Sequence, residues 1–456
     1  METEKTSFRD RPLILDETGK RRWIYAKQPK GKWYNRRTVL AWFCIAFLVL
    51  APIIKINGNP LMLFDIANRK FSIFGNIIWT QDTYILALIM SVTVVFVVLF
   101  TVVFGRLWCG WACPQTLFLE MIYRRIEYLF DGNYRKGSKK IKTGFLARMR
   151  LLGKHMSFLI VSLLITNVFL MWFTGPQKLL QIISEPIREH SVGFTFMIGL
   201  SIFYYWIYAF FREQVCTFAC PYGRLQSVLL DSKSITVIYD FKRGEPRGAK
   251  STGDCINCGQ CISVCPTGID IKNGSQLECI NCTACIDECN IVMKRMNRPK
   301  NLIRFDSYAG IETGKKSIKN ARTYAYSAIL LILIIVLGFT VSKRTPIDAT
   351  IMRLSGTLYQ KTDSATVTNM YNVKIINKTN ADKKLIFRIS NNQNGTIQMV
   401  GNSQTLKMNG AFESIMIIKF KKKCLSEKST DLNLGIYEHD KLLETVNINF
   451  IGPNKQ

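Results

Sequence analysis

The chain has 456 residues, room for two or three domains, and its 48% hydrophobic and 12% aromatic content is too apolar for disorder. Its 61 Lys and Arg against 32 Asp and Glu leave a formal charge of +29, which points to a polyanion or a membrane surface. Only three histidines occur (His155, His190 and His439), which argues against a His-rich metalloenzyme, whereas 14 cysteines invite thiolate chemistry.

A strongly charged stretch, residues 1–37, precedes five apolar runs at 38–54, 83–104, 156–173, 192–211 and 324–341. Each is close to the roughly 17–25 residues that a helix needs to cross a hydrocarbon core. None contains Asp, Glu, Lys, Arg or His, so no proton relay or charged ion path crosses the bilayer, and a pump or ion-coupled transporter is not expected. After so charged a beginning, the first run reads as an anchor rather than a secretory signal. Lys and Arg number 11, 3, 11, 2 and 17 in the first five non-membrane segments. The positive-inside rule then expects the N-terminus, 105–155 and 212–323 in the cytoplasm, and the C-terminal 115 residues outside. Topology and lipid headgroups account for most of the basic excess. No nucleic-acid motif accompanies it, so membrane lipid is an expected partner and nucleic acid is not.

The second and fourth apolar runs each end in the same pattern. One copy is Cys109-Gly-Trp-Ala-Cys113-Pro114 and the other Cys216-Thr-Phe-Ala-Cys220-Pro221. Repeated halves of a membrane protein commonly frame a site at their interface. Four residues apart on a helix, two thiols share one face, a spacing that suits a soft metal or a dithiol. Cys109, Cys113, Cys216 and Cys220 are therefore candidate soft-metal or redox thiols. A disulfide or a further cluster remains open for them at this stage, and Cys44, alone in the first run, reads as packing.

After a polar linker, 242–254, eight cysteines fall within 35 residues. Both sets read C-x2-C-x2-C-x3-C, the pattern of two-cluster bacterial ferredoxins, in which the fourth cysteine of each set serves the other cluster. The expected ligands are Cys255, Cys258, Cys261 and Cys289 for one 4Fe–4S cluster, and Cys279, Cys282, Cys285 and Cys265 for the other. Zinc sites usually use paired C-x2-C units rather than triplets, and a cytoplasmic disulfide framework is not expected. Two such clusters make the protein a carrier of single electrons. The linker's basic residues read as a surface facing headgroups, with a docking patch for an acidic electron donor as the sharper alternative.

From about residue 343 short β-rich runs appear at 365–376, 384–390, 396–400, 414–420, 431–437 and 443–451. Their alternation and turn residues suggest an immunoglobulin-like sandwich. With one cysteine, Cys424, and no ligand cluster, it reads as a binding or bracing module. The expected fold is thus a multi-domain membrane protein. It comprises a cytoplasmic basic N-terminus (1–37), a four-helix membrane domain (38–230), a cytoplasmic α+β ferredoxin module (231–323), a fifth membrane helix (324–341) and an all-β domain (342–456).

This order of parts resembles the CcoG/FixG/RdxA family of accessory proteins for cbb3-type haem–copper oxidases. The resemblance runs from about Trp23 to the C-terminal domain. It is most specific at Tyr239-Asp240, Arg243-Gly-Glu-Pro-Arg-Gly248, Pro266-Thr-Gly-Ile-Asp-Ile271, Leu277-Glu-Cys-Ile280 and Arg298-Pro299. Phe305 stands where the family is expected to carry tyrosine. The resemblance implies a protein of the bacterial inner membrane, with a periplasmic C-terminal domain and two 4Fe–4S clusters. It also implies cupric reductase activity during oxidase maturation: copper is the substrate ion, a cytoplasmic protein the electron donor, and oxidase subunits or copper chaperones the partners. In that scheme Cys109, Cys113, Cys216 and Cys220 hold copper, and the ferredoxin module supplies the electron. Two other readings stand beside it, a quinol-linked membrane ferredoxin subunit and a non-catalytic assembly scaffold.

Overall fold

A computed structural model of the chain describes residues 23–452, apart from 68–69, 80–81, 133–143, 249–250, 275, 277, 315–320, 355, 357–358, 364–365, 391–394, 401–404 and 422–428. Cys424 lies outside the described residues. The chain forms two compact units, Met1–Ile53 with Leu88–Ile335, and Ile54–Ala87 with Val336–Gln456.

Among the described residues four helices are long and apolar enough to cross a membrane: Thr83–Phe104, Phe145–Thr174, Ser191–Phe211 and Ala321–Ser342. Protein contacts cover little of them. In Ala321–Ser342, Leu331, Ile332, Ile335 and Phe339 are each at least 60% exposed, a face that lipid must cover. The third run lengthens backwards to Phe145 because Arg148, Arg150 and Lys154 are good helix formers that continue it into its polar approach.

The first helix departs most from the hydropathy pattern. It runs Lys32–Leu50, beginning within the charged stretch and ending before the apolar run does. Its start is set by a residue far along the chain. Asp287 accepts hydrogen bonds from the backbone N–H groups of Trp33 (3.2 Å) and Tyr34 (2.8 Å), capping the helix. Trp33 then packs edge-on against Phe305 at 5.4 Å. Just upstream, the Lys27 N–H donates to the Ser263 carbonyl (2.8 Å), and its ammonium pairs with Glu288 (2.9 Å). The N-terminal stretch is thereby stitched onto the eight-cysteine domain.

That domain is framed by two antiparallel strands, Thr236–Tyr239 and Ile303–Asp306, with Val237 opposite Phe305. Its core is Val237, Tyr239, Ile269, Ile271, Ile286, Met293, Leu302 and Ile303. The polar linker is folded onto it rather than loose. Arg243 binds Asp254 (2.6 Å) and the Pro299 carbonyl (2.7 Å), and the Gly248 N–H donates to the Cys255 carbonyl (2.9 Å).

In the second unit, residues 62–79 form a three-stranded antiparallel sheet (Met62–Asp65, Lys70–Ile73, Asn76–Trp79) whose four-residue strands are too short to announce themselves by alternation. The C-terminal domain is an antiparallel sandwich. One sheet orders Gly395–Met399, Ala411–Lys421, Thr366–Asn377 and Ile347–Arg353, with Gln360–Asp363 beside Thr366–Asn377. The other orders Thr405–Leu406, Lys383–Ile389, Ser429–Glu438 and Lys441–Ile451. Phe420 meets Phe450 in the core at 5.0 Å. Asp82, 1% exposed, pairs with Arg344 (2.6 Å) and Lys378 (2.7 Å). That buried group fastens the start of one membrane helix and the end of another to the sandwich.

Candidate thiol and iron–sulfur site

The two ligand loops of the eight-cysteine domain are built alike. Asn257 and Asn281 are left-handed (φ 56° and 53°), as are Gly259 and Thr283 (φ 70° and 66°). Each loop then feeds a helix, Gln260–Ser263 or Ala284–Arg295. Asparagine and glycine enter this region cheaply, whereas a β-branched threonine is strained there. Such turns bring the thiols of one triplet round a common centre. Cys289 stands beside Cys255, Cys258 and Cys261. Cys265, Cys279, Cys282 and Cys285 line one cavity with Val237 and Ile269.

Burial pushes the Cys261, Cys279 and Cys289 thiols up to about 12 and Cys282 up to about 11, so filling the sites must expel protons. Among the described residues no three His, Cys, Asp or Glu side chains converge as a single ion requires. Zinc–sulfur bonds of about 2.3 Å would demand that convergence. A cubane, whose four corners lie apart, does not. Two buried donors with no hydrogen-bond partner among the described residues favour such a guest. They are the Tyr239 hydroxyl, on a residue 2% exposed and lying against Cys255, and the Asn281 side-chain amide next to Cys282. Thiolate and inorganic sulfur accept hydrogen bonds from such groups, so the residues fit a pair of 4Fe–4S clusters.

A hydrogen bond to sulfur favours the reduced, more negative state of a cluster. Tyr239→Phe is accordingly expected to leave the iron content unchanged and move one cluster to a lower potential. The shift is about 40 mV for each kcal/mol of hydrogen bond lost in a one-electron couple. An EPR-monitored redox titration reads it directly, and an unmoved midpoint would remove Tyr239 from this role.

The two C-x-x-A-C-P copies are also alike in structure, but not as one continuous helix. Cys109 lies in the short helix Leu107–Trp111 and Cys216 in the π turn Val215–Ala219. Cys113 and Cys220 end those turns in extended geometry (ψ 123° and 112°) and precede the helices Pro114–Phe118 and Pro221–Leu229. The expected shared helical face is therefore replaced by a break within each pair. Proline disfavours helical geometry in the residue before it while suiting the first position of the next helix. The four thiols still lie within one another's electrostatic reach. Burial raises Cys109 to about 11 and Cys216 to about 12 and lifts Cys113 as well.

Polar groups line this thiol site. Cys109 donates to the Gln226 Oε1 (3.4 Å), while the Gln226 amide nitrogen and the Thr116 hydroxyl are buried with no partner among the described residues. Arg106, 8% exposed, donates to the Gly223 carbonyl, and its charge favours the thiolates of both Cys109 and Cys279. Cys44 packs against Ala41, Leu117 and Met121, away from the cysteine sets.

The thiol site abuts one ligand loop directly. Cys109 packs against the cluster of Val264, Ile280, Cys282 and Ala284, and Trp111 Nε1 donates to the Asn281 carbonyl (3.1 Å). Between them Gly110 lies so close that an added Cβ would stand 2.2 Å from the Ile280 carbonyl oxygen. Arg37 Nε holds the Gly110 carbonyl from the other side (2.6 Å).

Protein RdxB of Cereibacter sphaeroides is 30% identical over 413 residues, covering 85% of this chain and 86% of the relative. Protein RdxA of the same organism is 30% identical over 387 residues, covering 80% of this chain and 81% of the relative. The chain belongs to the CcoG/FixG/RdxA family. Nitrogen fixation protein FixG of Rhizobium meliloti, 30% identical over 311 residues, covers 63% of this chain and 57% of FixG. Family models agree with the parts. A 4Fe–4S dicluster domain matches 211–251 and 245–308, the IG-like fold at the C-terminal of FixG matches 337–453, and a 4Fe–4S binding domain matches 86–143. This member of the CcoG/FixG/RdxA family is an iron–sulfur membrane protein with a redox function.

Sequence reasoning on this family member missed the groups that join its parts. Arg124, 2% exposed, binds Glu213 (2.6 Å), Glu120 (2.8 Å) and the Pro266 carbonyl (2.9 Å) beside Cys265. Arg212 binds Glu127 (2.7 Å) next to it. Arg212 and Glu213, immediately after the run 192–211, are a visible signal but read equally well as headgroup contacts, whereas Glu120, Arg124 and Glu127 follow no apolar run directly.

Proposed function

We propose that this protein is a cupric reductase, passing single electrons through its ferredoxin module to Cu(II) held by Cys109, Cys113, Cys216 and Cys220, and releasing Cu(I) for assembly of a cbb3-type oxidase. The observation that carries the reading is the seating of Cys109, Gly110 and Trp111 on the loop Ile280–Cys282. Bound 4Fe–4S clusters supply one-electron carriage. The chain's residues do the rest. The four half-buried thiols favour the soft, reduced ion and would release their protons to solvent on binding it, and Arg106 offsets the negative charge that accumulates. Each turnover adds one electron to Cu(II) and yields Cu(I).

The module and N-terminus lie in the cytoplasm and the sandwich in the periplasm, with Lys32–Leu50 as the fifth crossing. The basic segments and the apolar second half of that helix support this. Alkaline phosphatase fused after Gln456 is expected to be active; an inactive fusion would reverse the orientation.

The double variant Cys109→Ser, Cys216→Ser should keep the iron of both ferredoxin clusters and lose at least 100-fold in cupric reductase rate. Wild-type rates in the purified variant would end the copper role of the thiols. A second reading is favoured by the 4Fe–4S binding domain that matches 86–143 and by the thiols' failure to converge on one ion. On it, the four thiols hold a further cluster. Anaerobically purified protein would then contain about twelve irons rather than about eight, falling to about eight in the double variant.

A further inference from the structure

Of the eight ferredoxin cysteines, Cys258 alone is exposed, so the group held by Cys255, Cys258, Cys261 and Cys289 reaches the surface at that corner. Hydrogen bonds thread a band of cations around it. Lys272 Nζ binds Asn257 Oδ1 (2.6 Å), next to Cys258. Arg247, on the segment that bonds to Cys255, reaches Asn273 (3.4 Å). Arg298 donates to the Gly253 carbonyl (2.7 Å), and Arg243 to the carbonyls of Pro299 and Lys300.

The acids in this band are already engaged: Glu245 with Arg247 (2.7 Å), Asp254 with Arg243 (2.6 Å) and Asp270 with Lys272 (3.4 Å). Lys294, Arg298 and Lys300 have no acidic partner among the described residues. The thiol site abuts the opposite ligand loop, at the start of Ala284–Arg295, where Asp287 also caps the first helix. Twelve residues of helix, about 18 Å, carry Lys294 to the other end.

From this arrangement we infer that the cationic band around Cys258 is the docking surface of an acidic, one-electron carrier protein, and that electrons enter there and leave through the Ile280–Cys282 loop. The inference rests on the reading of the module as an electron carrier but not on copper as acceptor. Complementary charge raises the encounter rate and sets the carrier over the exposed corner, and salt weakens that attraction. One electron passes from the reduced carrier to the ferredoxin module, leaving the carrier oxidised.

The test uses full-length protein in neutral detergent without copper. Bleaching of its clusters is followed by anaerobic stopped flow, with reduced plant-type 2Fe–2S ferredoxin as the acidic probe and photoreduced deazaflavin as a reductant needing no docking. The expected result is a second-order rate with ferredoxin that falls steeply with salt. It should also fall at least tenfold in the double variant Lys294→Glu, Lys300→Glu, while the deazaflavin rate is unchanged. A wild-type rate insensitive to salt, or equal rates for variant and wild type, would overturn it. So would loss of the charge effect in phosphatidylglycerol nanodiscs, since lipid would then cover the band. Failure of copper reduction alone leaves these rates untouched and bears only on the proposed function.

Discussion

Gly110→Val is expected to cut cupric reduction by on the order of 100-fold while both ferredoxin clusters remain assembled and reducible. A Cβ at this position would sit 2.2 Å from the Ile280 carbonyl oxygen and 3.1 Å from the Cys282 N–H nitrogen. Both neighbours are backbone, so no side chain can swing aside. The two loops must separate by an ångström or more, and displacements of that size cost about that factor in reactions that depend on close positioning. Gly110 and Ile280 ligate no iron but Cys282 does, so iron content and the bleaching rate of the purified variant are read beside turnover to separate a damaged cluster from slowed transfer. Rapid bleaching by a reductant with slow reoxidation by Cu(II) is the signature in stopped flow. Full wild-type turnover in the valine variant would mean that electrons reach copper by another route.

Arg124→Met should be the most damaging single change outside the cysteines. The guanidinium is 2% exposed and holds Glu120, Glu213 and the Pro266 carbonyl at once. Removing one partner of a buried ion pair costs about 3–5 kcal/mol, because the remaining charges stay buried without compensation. Here Glu120 and Glu213 keep only the longer pairs with Arg37 (4.0 Å) and Arg212 (3.7 Å), and the peptide beside Cys265 loses its anchor. Detergent-solubilised variant should unfold at lower temperature and lose iron from the cluster that Cys265 serves before the other. Arg124→Lys should recover only part of the stability, since an ammonium cannot reproduce the forked contacts. An unchanged melting temperature for the methionine variant would show that the network carries no net stability.

Much of this architecture was legible because its signals are local. The run 83–104 becomes a helix with the same bounds, since an uninterrupted apolar stretch has few alternatives. All six expected strands of the sandwich appear within three residues of their limits at both ends. The strand Ile347–Arg353 was missed because only four residues, ending in Pro346, separate it from a membrane helix and because Asp348 and Arg353 put charge near both of its ends. The first helix was placed too far along because its start depends on a carboxylate 253 residues away rather than on its own hydropathy. The C-x-x-A-C-P pairs show the same limit. Their spacing suggested one helical face, but the proline that made the motif recognisable also breaks the helix within it. Seating of Gly110 on Ile280 left no trace beyond the glycine itself, and glycine is common in any chain.

The cap that Asp287 places on Lys32–Leu50 has a consequence for how the molecule is made. Synthesis at about 5–20 residues per second delivers that carboxylate more than ten seconds after the helix it completes. Throughout that interval the helix start has neither cap nor Trp33 shelf, so a nascent chain stalled before the second ligand loop cannot close its N-terminal end. Because Asp287 sits between Cys285 and Cys289, the helix that carries two of the expected cluster ligands also completes the far older N-terminal part of the polypeptide.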